Sequence, residues 1–497
     1  LGFWSTPAEQ EVRARANATA GETTIGSTDA NTIGEHLAAA TDDGMTYVAF
    51  HERSSTSSTV LFQVSGGDDW WLKTPVVLSA DAVPHDRDPA LAAAGGLAYA
   101  AWQRQPDTGG SHVVLRRSTD RGRTWSTARG IDHAPAAAAC AHVRLCALAD
   151  GHVYAAWEDD RGGASHVYLS RSTDFGASWA AVDRRLDSVG PAHAPRPACQ
   201  GGTVIVAWED ARGVSTGVYA AGSGDFGTTF VETPISGAAL ATTPRAACDG
   251  AGNVFVAWVE ATLANPAVTT EAMIRTGRAS GARWEPAQKL DSGSPAGADT
   301  TADPDVATDG AGHVIAAWID GRPASSAYAS VSSDAGKTWS PETPLEAAGQ
   351  GTRAWGTVAG IAPSGTASVA WIDTPVVSPD GGLRVQANTS SLFGAAGTWR
   401  AAPARFNPNL ASQDPLDVAA VLAGGGVTAA WSDQVSLDHG KPAANRVRIP
   451  PGLVGEVHRV RWLDHQSIDW LPVDLADHYH VYGSSVGTWT PDCLDGA

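Results

Sequence analysis

The stretch STDRGRTW at residues 118–125 decides the fold, because the same pattern returns three more times along the chain. The other copies are STDFGASW at 172–179, SGDFGTTF at 223–230 and SSDAGKTW at 332–339. Their shared form, S-x-D-x-G-x-[TS]-[WF], suits a tight hairpin turn in which the Asp carboxylate accepts backbone N–H groups and the Gly adopts a positive φ. The closing aromatic ring fills the gap between sheets. We therefore predict that the four turn aspartates are structural: Asp120, Asp174, Asp225 and Asp334.

A second pattern, a β-rich run that ends in Ala-Trp or its equivalent, keeps step with the first. Its aromatic residues are Phe50, Trp102, Trp157, Trp208, Trp258, Trp318, Trp371 and Trp431, and their successive spacings run from 50 to 60 residues. A period of this length is the signature of propeller blades, which are four-stranded sheets that bury their faces by stacking. We predict an all-β propeller of about eight four-stranded blades, or of seven if the last unit, with a third strand at 446–449, is incomplete.

One unit can be divided strand by strand. The sequence predicts its inner, second, third and outer strands at 193–199, 203–208, 217–221 and 230–235. The two ends of the chain lack the repeat sequence. We therefore divide the chain into an N-terminal arm (1–34), a propeller (35–450) and a C-terminal clasp or cap (451–497). The C-terminal segment is also a candidate protein-binding tail. Propellers close by pairing one chain end with the other, which removes an exposed edge. The arm is the first candidate for that closing strand, and residues 456–462 are the alternative.

The turn motif resembles the Asp box of the bacterial neuraminidase repeat, which occurs in sialidases and in many other secreted β-propellers. The resemblance covers the whole repeat region and implies the propeller fold and a location outside the cytoplasm, secreted or at the cell surface. It does not imply an activity, because unrelated functions share this fold. The residues that a sialidase needs are not in place. The triplet Arg448-Ile449-Pro450 lies near the end of the chain instead of on the first inner strand.

Composition excludes several classes of partner. The 497 residues include 34 Lys and Arg against 53 Asp and Glu, a net charge of −19. That balance argues against nucleic acid and against anionic membrane surfaces. No apolar run reaches the roughly 20 residues that span a bilayer, and the first residues lack the features of a signal peptide, as expected of a trimmed mature chain. Of the five cysteines, Cys140 and Cys146 either form a bridge or, like Cys199 and Cys248, are buried free thiols.

Three inner strands in succession carry an arginine at the same distance from the following Trp. These are Arg144, Arg196 and Arg245, and the next strand has Asp305 there. The fork-shaped guanidinium group matches planar anions, so we predict an anion-binding site for a carboxylate or sulfate at the channel mouth. The alternative is a polar channel lining in which Asp88, Asp303 or Asp305 neutralises the arginines. Candidate catalytic residues at the mouth are His142, His193 and Asp305.

An acidic residue follows most of the repeat aromatics by two positions. The set is Glu52, Asp159, Asp210, Glu260, Asp320, Asp373 and Asp433, with Arg104 as the exception. Arg161, Arg212 and Arg322 follow three of these acids, which favours turn caps and loop salt bridges. A calcium site would need a denser run of acidic ligands. The tail pair His478 and His480 lacks a third ligand for a metal, so we predict neither a cofactor nor a metal.

Two hypotheses of different classes follow. The first is an exported enzyme that acts on anionic glycans, either a glycosidase or a polysaccharide lyase in which the arginines bind a uronate carboxylate and His142 or His193 abstracts the C5 proton. The second is a non-catalytic exported propeller that binds glycan or protein or builds a surface assembly. An open mouth that holds arginines, a His and a carboxylate together favours the first, and a mouth covered by the tail or by Trp355 favours the second.

Overall fold

The computed structural model describes most of residues 33–406 and six strands outside that range. The gaps within the range are 54–57, 67–68, 71–74, 80–84, 107, 238, 265–266, 282, 293–300, 322–325, 347–350 and 376–383, and the outlying strands are at 9–15, 23–24, 417–423, 426–435, 460–462 and 468–470. The regular secondary structure of all these residues is β-strand, and none of them is helical. Arg322 and most of the tail, including His478 and His480, lie outside the described residues.

The strands follow one another in groups of four. The first strands of the chain are β1 (Glu9–Arg15) and β2 (Thr23–Thr24). The next two groups are β3 (Ile33–Asp42), β4 (Met45–Arg53), β5 (Ser58–Gly66) with the short β6 (Asp69–Trp70), and β7 (Val76–Val77), then β8 (His85–Ala94), β9 (Leu97–Gln105), β10 (His112–Ser118) and β11 (Arg129–Gly130). The third and fourth are β12 (Cys140–Ala147), β13 (Val153–Asp159), β14 (His166–Ser172) and β15 (Arg184–Arg185), then β16 (Ala192–Gln200), β17 (Thr203–Asp210), β18 (Gly217–Ser223) and β19 (Val231–Pro234).

The remaining groups repeat this plan. They are β20 (Leu240–Cys248), β21 (Asn253–Ala264), β22 (Ala267–Arg278) and β23 (Gln288–Lys289), then β24 (Ala302–Thr308), β25 (Val314–Asp320), β26 (Ser326–Ser332) and β27 (Thr343–Pro344), then β28 (Gly351–Ile361), β29 (Ala367–Pro375), β30 (Arg384–Ser390) and β31 (Ala404–Arg405). The last strands are β32 (Asp417–Ala423), β33 (Gly426–Val435), β34 (Val460–Trp462) and β35 (Ile468–Trp470).

Within each group the strands pair antiparallel in chain order. The first strand of each sheet, here called the inner strand, contacts the inner strands of the neighbouring sheets, and β32 contacts both β28 and β3. The succession of inner strands therefore returns to its starting point. This is the arrangement of a β-propeller, in which four-stranded sheets stack around a central channel.

The N-terminal arm completes the last sheet. β1 pairs antiparallel with β33 from Glu9 opposite Val435 to Arg15 opposite Ala429, and β2 pairs with β1 on its other side. The third position of this sheet thus belongs to β1. The residues predicted for that strand, 446–449, lie outside the described part of the chain. Of the alternative closing segment only 460–462 is described, and it pairs with β35.

The repeat aromatics are the centre of each sheet-to-sheet core. Trp102, Trp157, Trp208, Trp258, Trp318 and Trp371 lie on the second strands and are fully buried, as is Phe50. Small, β-branched and aliphatic residues of the adjoining sheet share the core cluster of each indole, as Ala101, Val113 and Leu115 do for Trp157. The described cysteines are free thiols: Cys140, Cys146, Cys199 and Cys248.

The turn motif is held together by its Asp. In the fourth sheet Oδ1 of Asp225 accepts N–H groups from Thr228 (3.0 Å) and Thr229 (2.8 Å), and Oδ2 accepts the Thr229 hydroxyl (2.7 Å). Bonds from Thr229 lower the pKa of Asp225 to about 2. Gly227 has φ of 73°, and a Cβ there would lie 2.9 Å from the Tyr154 ring of the preceding sheet. The motif therefore fixes both a turn and the contact between two sheets.

Candidate functional site

A β-bulge near the start of each inner strand from β3 to β28 positions the candidate site. Each bulge shifts the pairing register and contains a residue with positive φ: His36, Asp88, His142, Ala194, Thr243, Asp303 and Gly356. A bulge redirects the side chains that follow it. After the bulge, Arg144, Arg196, Arg245 and Asp305 each pair with the Ala that precedes a buried Trp.

The bulges lie at the end of the ring opposite to the aspartate turns. Because the four strands of a sheet alternate in direction, the turn from third to fourth strand meets the hairpin between first and second strands. The Phe175 N–H indeed donates to the Gly151 carbonyl of that hairpin (2.9 Å). Asp120, Asp174, Asp225 and Asp334 are therefore remote from the arginines.

Two of the three arginines have a carboxylate partner. Nη1 of Arg144 lies 3.2 Å from Oδ1 of Asp88, and Nε of Arg245 lies 3.9 Å from Oδ1 of Asp305. Asp305 is also a structural acceptor, because its Oδ2 takes the N–H of Ala359 in β28 (2.8 Å). Burial raises the pKa of Asp305, and Arg245 opposes that shift. These pairs are what the channel-lining alternative predicts for the outer two arginines.

Arg196, between these two pairs, differs from both neighbours. Its Nε is buried and has no hydrogen-bond partner among the described residues. Burial lowers the pKa of Arg196, and the positive charges of Arg245 and Arg144 lower it further, against weaker opposition from Asp305 and Asp88. Arginine stays protonated in proteins, so a partly buried positive charge remains here without a dedicated anion among the described residues.

The two candidate histidines meet at one carboxylate. Nδ1 of His142 lies 2.9 Å from Oε1 of Glu158, and Nδ1 of His193, from the next sheet, lies 3.2 Å from Oε2. The Ala194 N–H donates to Oε1 (2.7 Å). The imidazoles are half-exposed, with 58% and 48% of their side-chain surfaces accessible, whereas Glu158 retains 12%.

The charges of this cluster influence one another. Burial would raise the pKa of Glu158, but hydrogen bonds from His142 and from the Ala194 N–H outweigh it and lower that pKa to about 2. The bond to Glu158 raises the pKa of His142 against the effect of burial, while Asp88 favours its protonation and Arg144 disfavours it. His142 therefore belongs to the same electrostatic environment as the arginine row.

Glu158 is the functional candidate that the sequence reasoning missed. It directly follows Trp157, and the residues at the same position of the other sheets, in chain order, are His51, Gln103, Glu209, Val259, Ile319, Ile372 and, in the last sheet, Ser432. The position is thus polar in the first four sheets and apolar in the next three. This split marks the side of the ring on which the two histidines lie, and it was visible in the sequence.

The acids two residues after the aromatics are turn caps in the two sheets whose following arginine is described. Asp159 accepts the Trp157 indole N–H (3.2 Å) and the Arg161 backbone N–H (2.8 Å), and its carboxylate pairs with the Arg161 guanidinium. Asp210 is bonded in the same way. Within the described ranges, no three His, Cys, Asp or Glu side chains are grouped to hold a metal ion, and no helix has the length and apolar character to cross a membrane.

Trp355, the aromatic residue considered as a cover for the mouth, precedes the bulge glycine of β28 and is partly buried. The C-terminal tail contributes only the backbone of β34 and β35 to the described residues. Whether the tail covers the mouth therefore stays a prediction.

Comparisons with known proteins give distant structural likeness. No protein-family model and no curated protein matches the sequence. A polysaccharide lyase family 25 ulvan lyase is similar with a TM-score of 0.45, 11% identity, and coverage of 72% of this chain and 93% of the lyase. A Trypanosoma rangeli sialidase is similar with a TM-score of 0.37 and 11% identity, over 74% of this chain and 70% of the sialidase. A Dyadobacter fermentans protein of unknown function has a TM-score of 0.40 and 16% identity, over 62% of this chain and 93% of that protein. At scores this low, the likeness carries no argument about the site.

Proposed function

We propose that the chain is an exported, eight-bladed β-propeller with Asp-box turns that recognises an anionic glycan at its channel mouth. Support for eight blades comes from the seven consecutive four-stranded groups and from the further sheet β32-β33-β1-β2. The hydrogen bonds of the Asp225 turn support the Asp-box assignment. Export rests on the resemblance to Asp-box proteins.

One observation carries the binding proposal. Arg196 is a partly buried cation whose Nε is buried and unsatisfied, while its neighbours Arg144 and Arg245 already have carboxylates. A planar carboxylate or sulfate would satisfy the fork of donors on Arg196 and relieve the repulsion among the three guanidinium groups. Hydrogen bonds to charged groups contribute about 1.5–3 kcal/mol each, so a bidentate contact would dominate the affinity.

The histidine pair supports a second proposal, proton transfer on the bound glycan. A carboxylate neutralised by Arg196 acidifies the proton on the adjacent carbon of a uronate. An imidazole Nε2 removes that C5 proton, the electron pair forms a C4=C5 double bond, and the C4–O bond to the neighbouring sugar breaks. The leaving oxygen takes a proton from the other imidazole in its protonated form. This is the chemistry of a polysaccharide lyase.

Calorimetric titration with sialyl, uronate and sulfated oligosaccharides tests the binding proposal. The wild type should bind at least one acidic oligomer, Arg196→Ala should weaken that affinity by about 100-fold or more, and Arg196→Lys should recover only part of it because it lacks the fork. Arg283→Ala is the matched control, because it removes an arginine whose side chain is 76% exposed. Arg283→Ala should bind the oligosaccharide with the same affinity as the wild type.

A thermal melt of each variant establishes that it is folded. Ultraviolet absorbance of the C=C bond conjugated to the carboxylate then reports elimination. If no acidic oligomer binds the wild type, or if Arg196→Ala binds as tightly, the binding proposal fails and the arginines are channel lining in a scaffold or protein-binding propeller. Binding without new absorbance would leave a glycan-binding module and reject the lyase proposal.

A further inference from the structure

We infer that Glu158 is a positioning residue that joins His142 and His193 into one proton-binding unit, with one imidazole as acid and the other as base. The catalytic use of this unit rests on the proposed function above, whereas its titration does not. The unit spans two sheets, since His142 is on β12, Glu158 on β13 and His193 on β16.

The hydrogen bonds fix the tautomer of both rings. An ionised carboxylate has no proton to donate, so each Nδ1 within 3.2 Å of Glu158 must carry its own hydrogen. In the neutral imidazole the lone pair is then on Nε2. Both rings are half-exposed, so each Nε2 is available as a base.

The bulges make this meeting possible. His142 itself has φ of 52°, and Ala194, which follows His193, has φ of 53°. Both values lie in the left-handed region, which non-glycine residues seldom adopt without a structural reason. The Ala194 N–H is the third donor to Glu158 (2.7 Å). One carboxylate thus holds both imidazoles and the strained backbone beside one of them.

A shared carboxylate couples the two protonations. The first imidazolium to form takes the full attraction of Glu158, and the second must share it and is repelled by the first. The two protons therefore bind in separate macroscopic steps. Between those steps one imidazole is protonated and the other is neutral. The unit then offers one acid and one base at the same pH, as an elimination requires.

The two imidazoles have different surroundings. Asp88 from β8 and Arg144 from β12 both act on His142. His193 lies opposite Glu209 of β17, and the carboxylate of Glu209 is already engaged by the Thr243 N–H (2.7 Å). His142 has the shorter bond to Glu158, 2.9 Å against 3.2 Å for His193, so we assign His142 as the acid and His193 as the base.

Imidazole ¹⁵N NMR across a pH series, on the full chain with ¹⁵N-histidine, tests the inference without a ligand. The signals are assigned by His142→Ala and His193→Ala. At high pH both rings should be Nδ1–H tautomers in the wild type. On acidification the pair should titrate in two steps separated by about one pH unit or more. His193→Ala should convert His142 to a single step with a higher midpoint.

Glu158→Gln should lower the His142 midpoint, because it removes the charge that favours the imidazolium, and it should abolish the tautomer preference. The matched control is Asp309→Asn, which removes a carboxylate 2.7 Å from Nδ1 of His313 on another sheet. This substitution should change the imidazole ¹⁵N signals of His313 and leave those of His142 and His193 as they are in the wild type. Two results would overturn the inference. One is a wild type whose rings are Nε2–H tautomers, and the other is a His142 midpoint that is the same in the wild type, in Glu158→Gln and in His193→Ala.

These outcomes are independent of the binding experiment. The tautomers are measured on the wild type, so the inference can still be tested if Glu158→Gln does not fold. A coupled titration with no bound oligosaccharide would keep the proton-binding unit and reject the glycan function. Binding lost in Arg196→Ala, together with uncoupled histidines, would keep the anion site and reject the unit.

Discussion

Replacing Glu346 with Gln should remove a pH-dependent loss of stability. Glu346 follows β27 and is 5% exposed, and it faces Ser326 and the fully buried Asp373 at the end of β29. Asp373 is held by the Arg384 guanidinium and by Gln386 Nε2 (2.8 Å). Two carboxyl groups therefore share a buried site between neighbouring sheets, and the Arg384 guanidinium there pairs with Asp373.

The sign and size of the effect follow from the pKa. Burial and the negative charge of Asp373 raise the pKa of Glu346 from 4.5 to about 7. The folded state therefore favours the protonated acid. Stability from this group is complete below pH 4.5 or so and is lost as the pH rises to about 7. At about 1.4 kcal/mol per pH unit, the loss is about 3 kcal/mol.

Unfolding midpoints at about pH 5 and about pH 8 measure this loss. The wild type should lose more stability between the two conditions than Glu346→Gln, whose amide cannot ionise, and the difference should approach 3 kcal/mol or a few degrees in thermal midpoint. Glu285→Gln is the control, because Glu285 is at the surface beside Arg283, and it should behave as the wild type. If Glu346→Gln loses as much stability as the wild type over this pH range, the buried pair does not titrate as described.

Two further substitutions test the packing of the ring. Gly222→Ala should destabilise the fold by about 1–3 kcal/mol and lower the unfolding midpoint accordingly, because its Cβ would lie 2.4 Å from the Ala279 carbonyl oxygen. Gly224→Ala is the control and should leave the midpoint unchanged, because a Cβ there would have no atom within 4 Å. Equal midpoints for the two variants would contradict the sheet contact. Arg13→Pro should destabilise by about 1–3 kcal/mol, because proline removes a ladder hydrogen bond where Arg13 pairs on both sides within the closing sheet, and an unchanged thermal midpoint would refute the role of β1.

The sequence predicts the repeating unit well because local patterns set it. The predicted strands at 193–199, 203–208 and 217–221 agree with β16, β17 and β18 to within two residues. The third strand of the last sheet could not be found in this way. It comes from the opposite end of the chain, where β1 has neither a repeat aromatic nor an aspartate turn.

The site was only partly predictable for a geometric reason. Simple alternation assigns side chains to faces of a strand, but a bulge at His142 or Ala194 resets that alternation. The arginine row could be aligned because it follows the bulges at a constant distance. The meeting of His142 and His193 at Glu158 depends on how two sheets stack, which no local pattern contains.

The pairing of β1 with β33 also sets an order of events during synthesis. The ribosome delivers β1 first and β33 more than four hundred residues later. Until then the first inner strand lacks its neighbour β32, and the stack of finished sheets has two open faces. The ring can therefore close only after β33 has been made, and until then the nascent chain carries exposed apolar surface and an unpaired strand.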